Sequence, residues 1–263
     1  MERRKTALVT GASSGIGLDL AMRFAAEGYD VALVARSEGK LKEVAAAIEA
    51  EHKVRAHVVT ADLAQPRAAD TLVATLDARA IEVDVLVNNA GYALYGAFAE
   101  TDLADELAMI QVNIVALTHL TKLLVRKMIA RKDGRVLNVA STAAFQPGPL
   151  MAVYYATKAY VLSFSEALAN ELAGSGVTVT ALCPGPTKTG FQARAQMEES
   201  KLVRGKEIMT SERVARAGYA GMMKGKTVVI PGMSNKMLAQ AVRFLPRNTV
   251  TKMVRNAQER APH

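Results

Sequence analysis

The stretch "TALVTGASSGIG", residues 6–17, decides the fold. Its first half is short, β-branched and nearly continuous in apolar character. A strand of that kind is expected where helices cover both faces of a parallel sheet. Its second half places Gly11, Gly15 and Gly17 where the chain must turn sharply and enter a helix. Glycine lets the backbone approach a pyrophosphate closely, and the N-terminus of the following helix favours the anion. The hydroxyls of Ser13 and Ser14 could add hydrogen bonds. The spacing is GxxxGxG, not the GxGxxG of the general dinucleotide fingerprint. Taken alone, it could be only a tight turn between a strand and a helix.

Outward from this stretch the pattern repeats. Short apolar runs fall at 30–36, 56–63, 83–91, 134–141, 177–185 and 226–232, separated by segments such as "SEGKLKEVAAAIEAE" (37–51) with apolar residues at helical spacing. The alternation predicts an α/β fold: a Rossmann-like, doubly wound parallel sheet of about seven strands with helices on both faces. No linker or internal repeat divides the chain, so one domain, 1–263, is expected. The least regular part, 186–210, reads as an inserted flap.

Ligands on such sheets bind beyond the carboxyl ends of the strands. An NAD site wants an acid at the end of the second strand, to bond the ribose 2′-hydroxyl. Here "VALVARSEGK" has Ala35 followed by Arg36. An arginine fork is shaped for a 2′-phosphate. NADP(H) is therefore the expected cofactor, with NAD(H) an open alternative.

Composition narrows the classes. A single cysteine, Cys183, excludes an internal disulfide and a multi-cysteine metal site, and the four histidines lack metal-ligand spacing, so no metal is expected. No apolar run reads as a membrane span, and the N-terminus runs straight into a strand. A cytoplasmic location is the default. The net charge of +8 is partly concentrated in the tail 236–263, with six Lys/Arg against one acid, Glu259. Stacking aromatics do not alternate with these cations and the chain has no Trp, which argues against a nucleic-acid module. The tail also carries Met237, Leu238, Ala241, Val242 and Leu245 at helical spacing. It reads as packing on its own domain or on a partner subunit, with weak peripheral association at a membrane as the sharper alternative.

One stretch poses a choice. "MAVYYATKAYV" (151–161) holds Tyr154, Tyr155 and Tyr160 beside Lys158. On a helix Lys158 could reach Tyr154 or Tyr155, three or four residues back, whereas Tyr160 faces elsewhere. Spacing favours Tyr154 only slightly.

These residues and motifs resemble the short-chain dehydrogenase/reductase family, in its short single-domain branch, from Lys5 to about Gly232. "TGASSGIG" is similar to its cofactor glycine motif, "ADL" (61–63) to its adenine-side segment and "NNAG" (88–91) to its fourth-strand motif. Asn113 matches its helix asparagine, Ser141 its catalytic serine, and "YYATK" contains its YxxxK. "PGPTKT" (184–189) matches the loop that meets the nicotinamide. The resemblance implies Asn113, Ser141, Tyr154 and Lys158 as catalytic residues. It implies that Gly11, Ser13, Ser14, Gly15, Ile16 and Gly17 hold the cofactor, with Arg36, Asp62, Leu63, Asn88, Pro184, Gly185, Thr187 and Thr189, and with Tyr154 and Lys158 again. Tyr155 then becomes a wall residue and Tyr160 a core one.

The implied chemistry is hydride transfer. Negative charge develops on a carbonyl oxygen, and a proton must arrive there. A lysine ammonium beside a tyrosine favours its phenolate and is expected to lower its pKa. Ser141 would orient and polarise the carbonyl. Asn113, by the resemblance, holds a water that connects Lys158 to solvent. Walls from Tyr92 to Tyr95, from Phe145, Leu150 and Met151, and from Phe191 and Met197 of the flap suit a hydrophobic substrate. The resemblance implies a homodimer or homotetramer, and the segments 102–131 and 152–173, apolar on more than one face, fit that expectation. Two other classes stay open: a catalytically silent cofactor-binding regulator, and an epimerase or dehydratase. The latter carry a substantial C-terminal substrate domain, whereas about thirty residues follow Gly232 here.

Overall fold

The computed structural model describes residues 3–191 and 208–259. Part of the expected flap, with Arg194, Met197, Glu198, Glu199 and Lys201, lies outside the described residues, as do Arg260 and His263 at the end of the tail.

Seven strands form one parallel sheet: β1 (Thr6–Thr10), β2 (Asp30–Ala35), β3 (Ala56–Thr60), β4 (Val85–Asn88), β5 (Gly134–Val139), β6 (Val177–Leu182) and, after two short strands, β9 (Val228–Val229). Their order is β3-β2-β1-β4-β5-β6-β9. The short strands β7 (Thr187–Lys188) and β8 (Met209–Thr210) pair only with each other. The order reverses between β1 and β4, and a crevice opens at such a switch point beyond the carboxyl ends.

Side-chain alternation explains the two layers of helices. Ala7 and Val9 of β1, with Val31 and Leu33 of β2, face one side. There they meet Leu20 and Phe24 of α1 (Gly15–Ala26), Leu41 and Ile48 of α2 (Glu38–His52), and Val214, Tyr219 and Met222. Leu8, Ala32 and Val34 face the other side. They meet Leu72 and Leu76 of α3 (Ala68–Ala78) and Leu120, Leu124 and Met128 of α5 (Leu117–Arg131). Phe24, fully buried, is held edge-on by Tyr29 at 5.4 Å and Tyr219 at 5.2 Å. Burying such a side chain stabilises by about 1.5–3 kcal/mol.

The helix α4 (Leu103–Ile110) runs through a π-helical turn, Gln111–Ala116, into α5. Asp102 caps its start, accepting from the backbone N–H of Ala104 at 2.8 Å and Asp105 at 3.1 Å. This 29-residue run, Leu103–Arg131, is long and apolar enough to cross a membrane, contrary to the expectation that no run would be. Its apolar residues have another explanation: Met109, Leu120, Leu124 and Met128 are buried in the domain.

The remaining helices are α6 (Ala152–Glu171), α7 (Ser211–Met223), α8 (Met233–Ala241) and α9 (Arg247–Gln258). The last strand is shorter than its run suggests. Only Val228 and Val229 pair, with Ala181 and Leu182, because β9 is an edge strand and Pro231 cannot continue the ladder.

Candidate active site

The glycine turn sits beyond β1 at the switch point. Gly11 has φ +68°, and its N–H bonds the Val34 carbonyl at 2.7 Å. Gly17 has no room for a side chain, since an added Cβ would collide with the Gly11 carbonyl and the Asn89 amide. The cradle is therefore bare backbone at a helix start, the chemistry an anionic pyrophosphate requires. Ser14 is the N-cap of α1, yet its hydroxyl makes no capping bond, and Ser13 lies half-buried beside it. Ile16 leans on the core. The loop after β6 returns to this turn: the Thr189 methyl lies where a Cβ on Gly15 would be in close contact, at 3.1 Å. Pro184 accepts from the Thr142 N–H at 2.9 Å, and Thr187 donates to the Gly185 carbonyl at 2.9 Å. Gly185 itself faces the Asn235 side chain. The two sequence-distant motifs thus close on one crevice.

Arg36 is exposed just beyond β2 and makes no ion pair among the described residues. Asp62 accepts from the Ala64 N–H at 3.1 Å and the Gln65 amide at 3.3 Å, which fixes the turn after β3. Two expected cofactor residues send their side chains into the protein. The Leu63 side chain is buried in the core. The Asn88 side chain turns into the sheet, donating to Thr121 and to Asn138, both at 2.9 Å. Its neighbour Asn89 supports the glycine turn instead, donating to the Thr10 carbonyl at 2.9 Å.

Across the crevice α6 carries Tyr154 and Lys158 on one buried face. Ser141, beyond β5, bonds the Tyr154 hydroxyl, while its own oxygen accepts from the Ala143 N–H at 3.1 Å. The Lys158 ammonium donates to the Val139 carbonyl at 2.8 Å and lies 5.8 Å from the centre of the Tyr154 ring. Burial pulls Lys158 down to about 8. Burial also raises the Tyr154 pKa, with the Ser141 bond acting against the rise. The direction is opposite to the lowering expected for a tyrosine beside a lysine: desolvation of the phenolate is the largest cause.

Asn113 stands in the π-helical turn. Its amide donates to the Tyr92 carbonyl and to the Thr157 hydroxyl, both at 3.0 Å, and its Oδ1 accepts from the Tyr92 N–H at 3.2 Å. Thr157 in turn donates to the Tyr154 carbonyl at 2.7 Å. Asn113 therefore ties the loop after β4 to α6, between Tyr154 and Lys158. Gly91 leaves space here, since a Cβ would sit 3.0 Å from Asn113 Oδ1 and 3.5 Å from Lys158 Nζ.

The apolar wall gathers Ala93, Met109, Met151, Tyr154 and Tyr155, with Tyr92, Tyr95 and Phe191 against them. Phe191 is 5.6 Å from Tyr154, ring to ring. Phe145, expected in this wall, packs instead with Leu117, Leu162 and Cys183. Tyr160, expected in the core, lies on the outer face and shares a 2.9 Å hydrogen bond with Thr118. The wall also contains residues that sequence reasoning missed. From α9, Val254 joins the cluster, Gln258 Nε2 donates to the Tyr155 hydroxyl at 2.6 Å, and the Gln258 carbonyl accepts from Tyr95 at 2.8 Å. The helical repeat Val250, Val254, Gln258 was the available signal, although nothing in the sequence says which surface it covers.

A crevice of this construction, at the switch point of a parallel sheet, defines the class: an oxidoreductase acting on CH–OH or C=O groups. A model of the short chain dehydrogenase family matches residues 5–200. The ketoacyl reductase HetN of Nostoc sp. is 33% identical over 227 residues, covering 86% of this chain and 78% of the relative. A very-long-chain 3-oxoacyl-CoA reductase of Danio rerio is 35% identical over 242 residues, covering 90% of this chain and 73% of the relative. The structure of a Sphingobium yanoikuyae short-chain dehydrogenase in complex with NADPH superposes with a TM-score of 0.81. It is 32% identical, covering 92% of this chain and 96% of that one. The chain belongs to the short-chain dehydrogenase/reductase family.

Proposed function

We propose that this protein is a single-domain, NADP(H)-dependent reductase of a hydrophobic carbonyl compound, with Tyr154 as the proton donor. The carrying observation is the Ser141–Tyr154–Lys158 cluster, with half-buried Ser141 bonding buried Tyr154 beside buried Lys158, across the crevice from the glycine cradle. NADP(H) supplies the hydride when bound. Gly11, Gly15 and Gly17 would hold its pyrophosphate, and Arg36 its 2′-phosphate. The NADPH complex of the Sphingobium relative agrees with that choice.

The chain's own residues handle the proton and the orientation. Ser141 hydrogen-bonds the substrate oxygen and aims the carbonyl. Burial keeps the Tyr154 phenol protonated, so it is ready to give its proton to the developing alkoxide, a far stronger base than phenolate. The resulting phenolate is stabilised by the Lys158 ammonium. Asn113, through Thr157 and Tyr92, positions the part of α6 that carries both groups. The apolar wall excludes water from the reacting oxygen and suits an acyl ketone or a similarly hydrophobic substrate, as the names of the reductase relatives suggest.

A homodimer fits the outer face of α4, the π-helical turn and α6, where Leu103, Leu107, Val115 and Tyr160 are exposed. The working location is the cytoplasm. The deciding test is Tyr154→Phe, assayed by NADPH oxidation against a panel of ketones. Turnover falls by several powers of ten while NADPH affinity is kept. Retained turnover in Tyr154→Phe removes the proton-donor assignment. Failure of every carbonyl with wild type favours the silent regulator.

A further inference from the structure

The tail is a two-sided structure. In α9 the inner stripe Val250, Val254 and Gln258 packs on the domain, while Lys252, Met253 and Arg255 point to solvent. In α8 the buried residue is Ala239, and Asn235 beside it donates to the Pro231 carbonyl at 2.8 Å. The other side of α8 carries Met233 and Met237, four residues apart, with Leu238 adjacent. They are 73%, 67% and 53% exposed. Phe244, in the connection to α9, is 86% exposed, and Leu245 is exposed beside it. The tail therefore does pack on its own domain, but only by its inner side. Its outer side offers large apolar groups with no cover among the described residues.

The charge on this face says what fits it. Lys236, Arg243, Arg247, Lys252 and Arg255 are all exposed among the apolar residues. Only Arg255 has an ion pair among the described residues, with Glu259 at 3.6 Å. In sequence the 28 residues from Lys236 carry six Lys/Arg less one Glu, five of the net eight charges. A second copy docked on this face across a two-fold axis would set like charges against each other. A nucleic acid would meet the cations but leave the methionines and leucines in water. An anionic bilayer interface takes both at once: headgroups meet the cations and the acyl boundary receives the apolar side chains.

We propose that α8, the Phe244–Leu245 connection and the outer side of α9 form a docking face for an anionic lipid surface. The α9 part of the face is on the opposite side of that helix from Gln258, which bonds Tyr95 and Tyr155, so docking through it holds the substrate wall one helix away from the membrane. The inference stands independently of the reductase reading, because it is read by binding and not by turnover.

The test is cosedimentation of the full chain with phosphatidylglycerol-containing vesicles and with pure phosphatidylcholine vesicles, at low and high salt. Two paired variants accompany it, Met237→Ser with Phe244→Ser and Lys236→Glu with Arg243→Glu. All four positions are exposed, and circular dichroism checks the fold. The expected result is binding to the anionic vesicles that salt weakens and that each variant reduces by roughly tenfold or more. No binding at low salt overturns the proposal, as does equal binding to neutral vesicles or binding that both variants leave unchanged. A change in mass by light scattering in the variants, with no vesicle binding by wild type, assigns the face to contact between copies.

Discussion

Lys158→Met is expected to make the cofactor-free enzyme more stable at pH 7 while abolishing turnover. Burial pulls this lysine from 10.5 to about 8, so the folded chain binds its proton less tightly than the unfolded chain does. Below pH 8 the lysine is charged in both states, and the full cost of burying that charge is present, about 3 kcal/mol. Between pH 8 and 10.5 the folded state sheds its proton first, and the cost fades as pH rises. Above that window it is gone. Methionine keeps most of the stem and removes the charge. It also loses the 2.8 Å bond to the Val139 carbonyl, which costs about 1–2 kcal/mol. The net gain at pH 7 is about 1–2 kcal/mol, or roughly 2–8 °C in Tm for a chain of this size. Urea or thermal unfolding of both proteins at pH 7 and pH 10 measures it. The variant leads at pH 7, and its lead shrinks or reverses at pH 10. A variant less stable at pH 7, or a difference that does not move with pH, refutes the reasoning.

Tyr155→Phe keeps most of kcat but lowers Tm by a few degrees, because it leaves the buried Gln258 amide without its 2.6 Å partner; paired kinetics and melting curves separate the two effects. Arg36→Ala lowers kcat/KM for NADPH by about tenfold or more and leaves that for NADH unchanged. Equal values for the two cofactors in wild type would remove the 2′-phosphate role. Gly17→Ala forces a methyl against the Gly11 carbonyl and costs roughly 1–3 kcal/mol of stability, together with a large loss of NADPH affinity in a fluorescence titration. Truncation after Gly232 removes Val254 and Gln258 from the wall, so it impairs turnover instead of sparing it.

The strands were legible because a strand buried on both faces has little choice but an unbroken apolar run. Their ends were less so, since hydrogen bonding and not hydrophobicity terminates them: "VDVLVNNAG" contains a four-residue strand, Val85–Asn88. Strand alternation separates the two asparagines. Asn88 is in phase with Leu86, which faces α5, and Asn89 with Val87, which faces the glycine-turn side. Tyr154 and Lys158 were legible through the family pattern more than through spacing. The Gln258–Tyr155 bond was not, since it joins residues 103 apart through the packing of a helix on a surface that only the folded chain displays. Nor was the rise in the Tyr154 pKa, since burial has no signature in a tyrosine four residues from a lysine.

The π-helical turn at Gln111–Ala116 has a consequence for insertions and deletions. Such a turn takes in one residue more than an α-helical turn, and one residue is worth about 100° of rotation. It therefore absorbs one extra residue locally and leaves α4 and α5 in the phase of an unbroken helix. Deleting Val112 would let the backbone close into an uninterrupted α-helix with locally better hydrogen bonding. Met109 would stay against the wall cluster, and Leu120, Leu124 and Met128 against the sheet. What such a deletion would displace is the turn itself, which carries Asn113 between Tyr92 and Thr157. A deletion inside α5 has no such slack and would turn one half about 100° against the other. A one-residue deletion at the π turn should therefore spare folding where the same deletion in α5 does not, a contrast that a deletion scan of residues 103–131 would register directly.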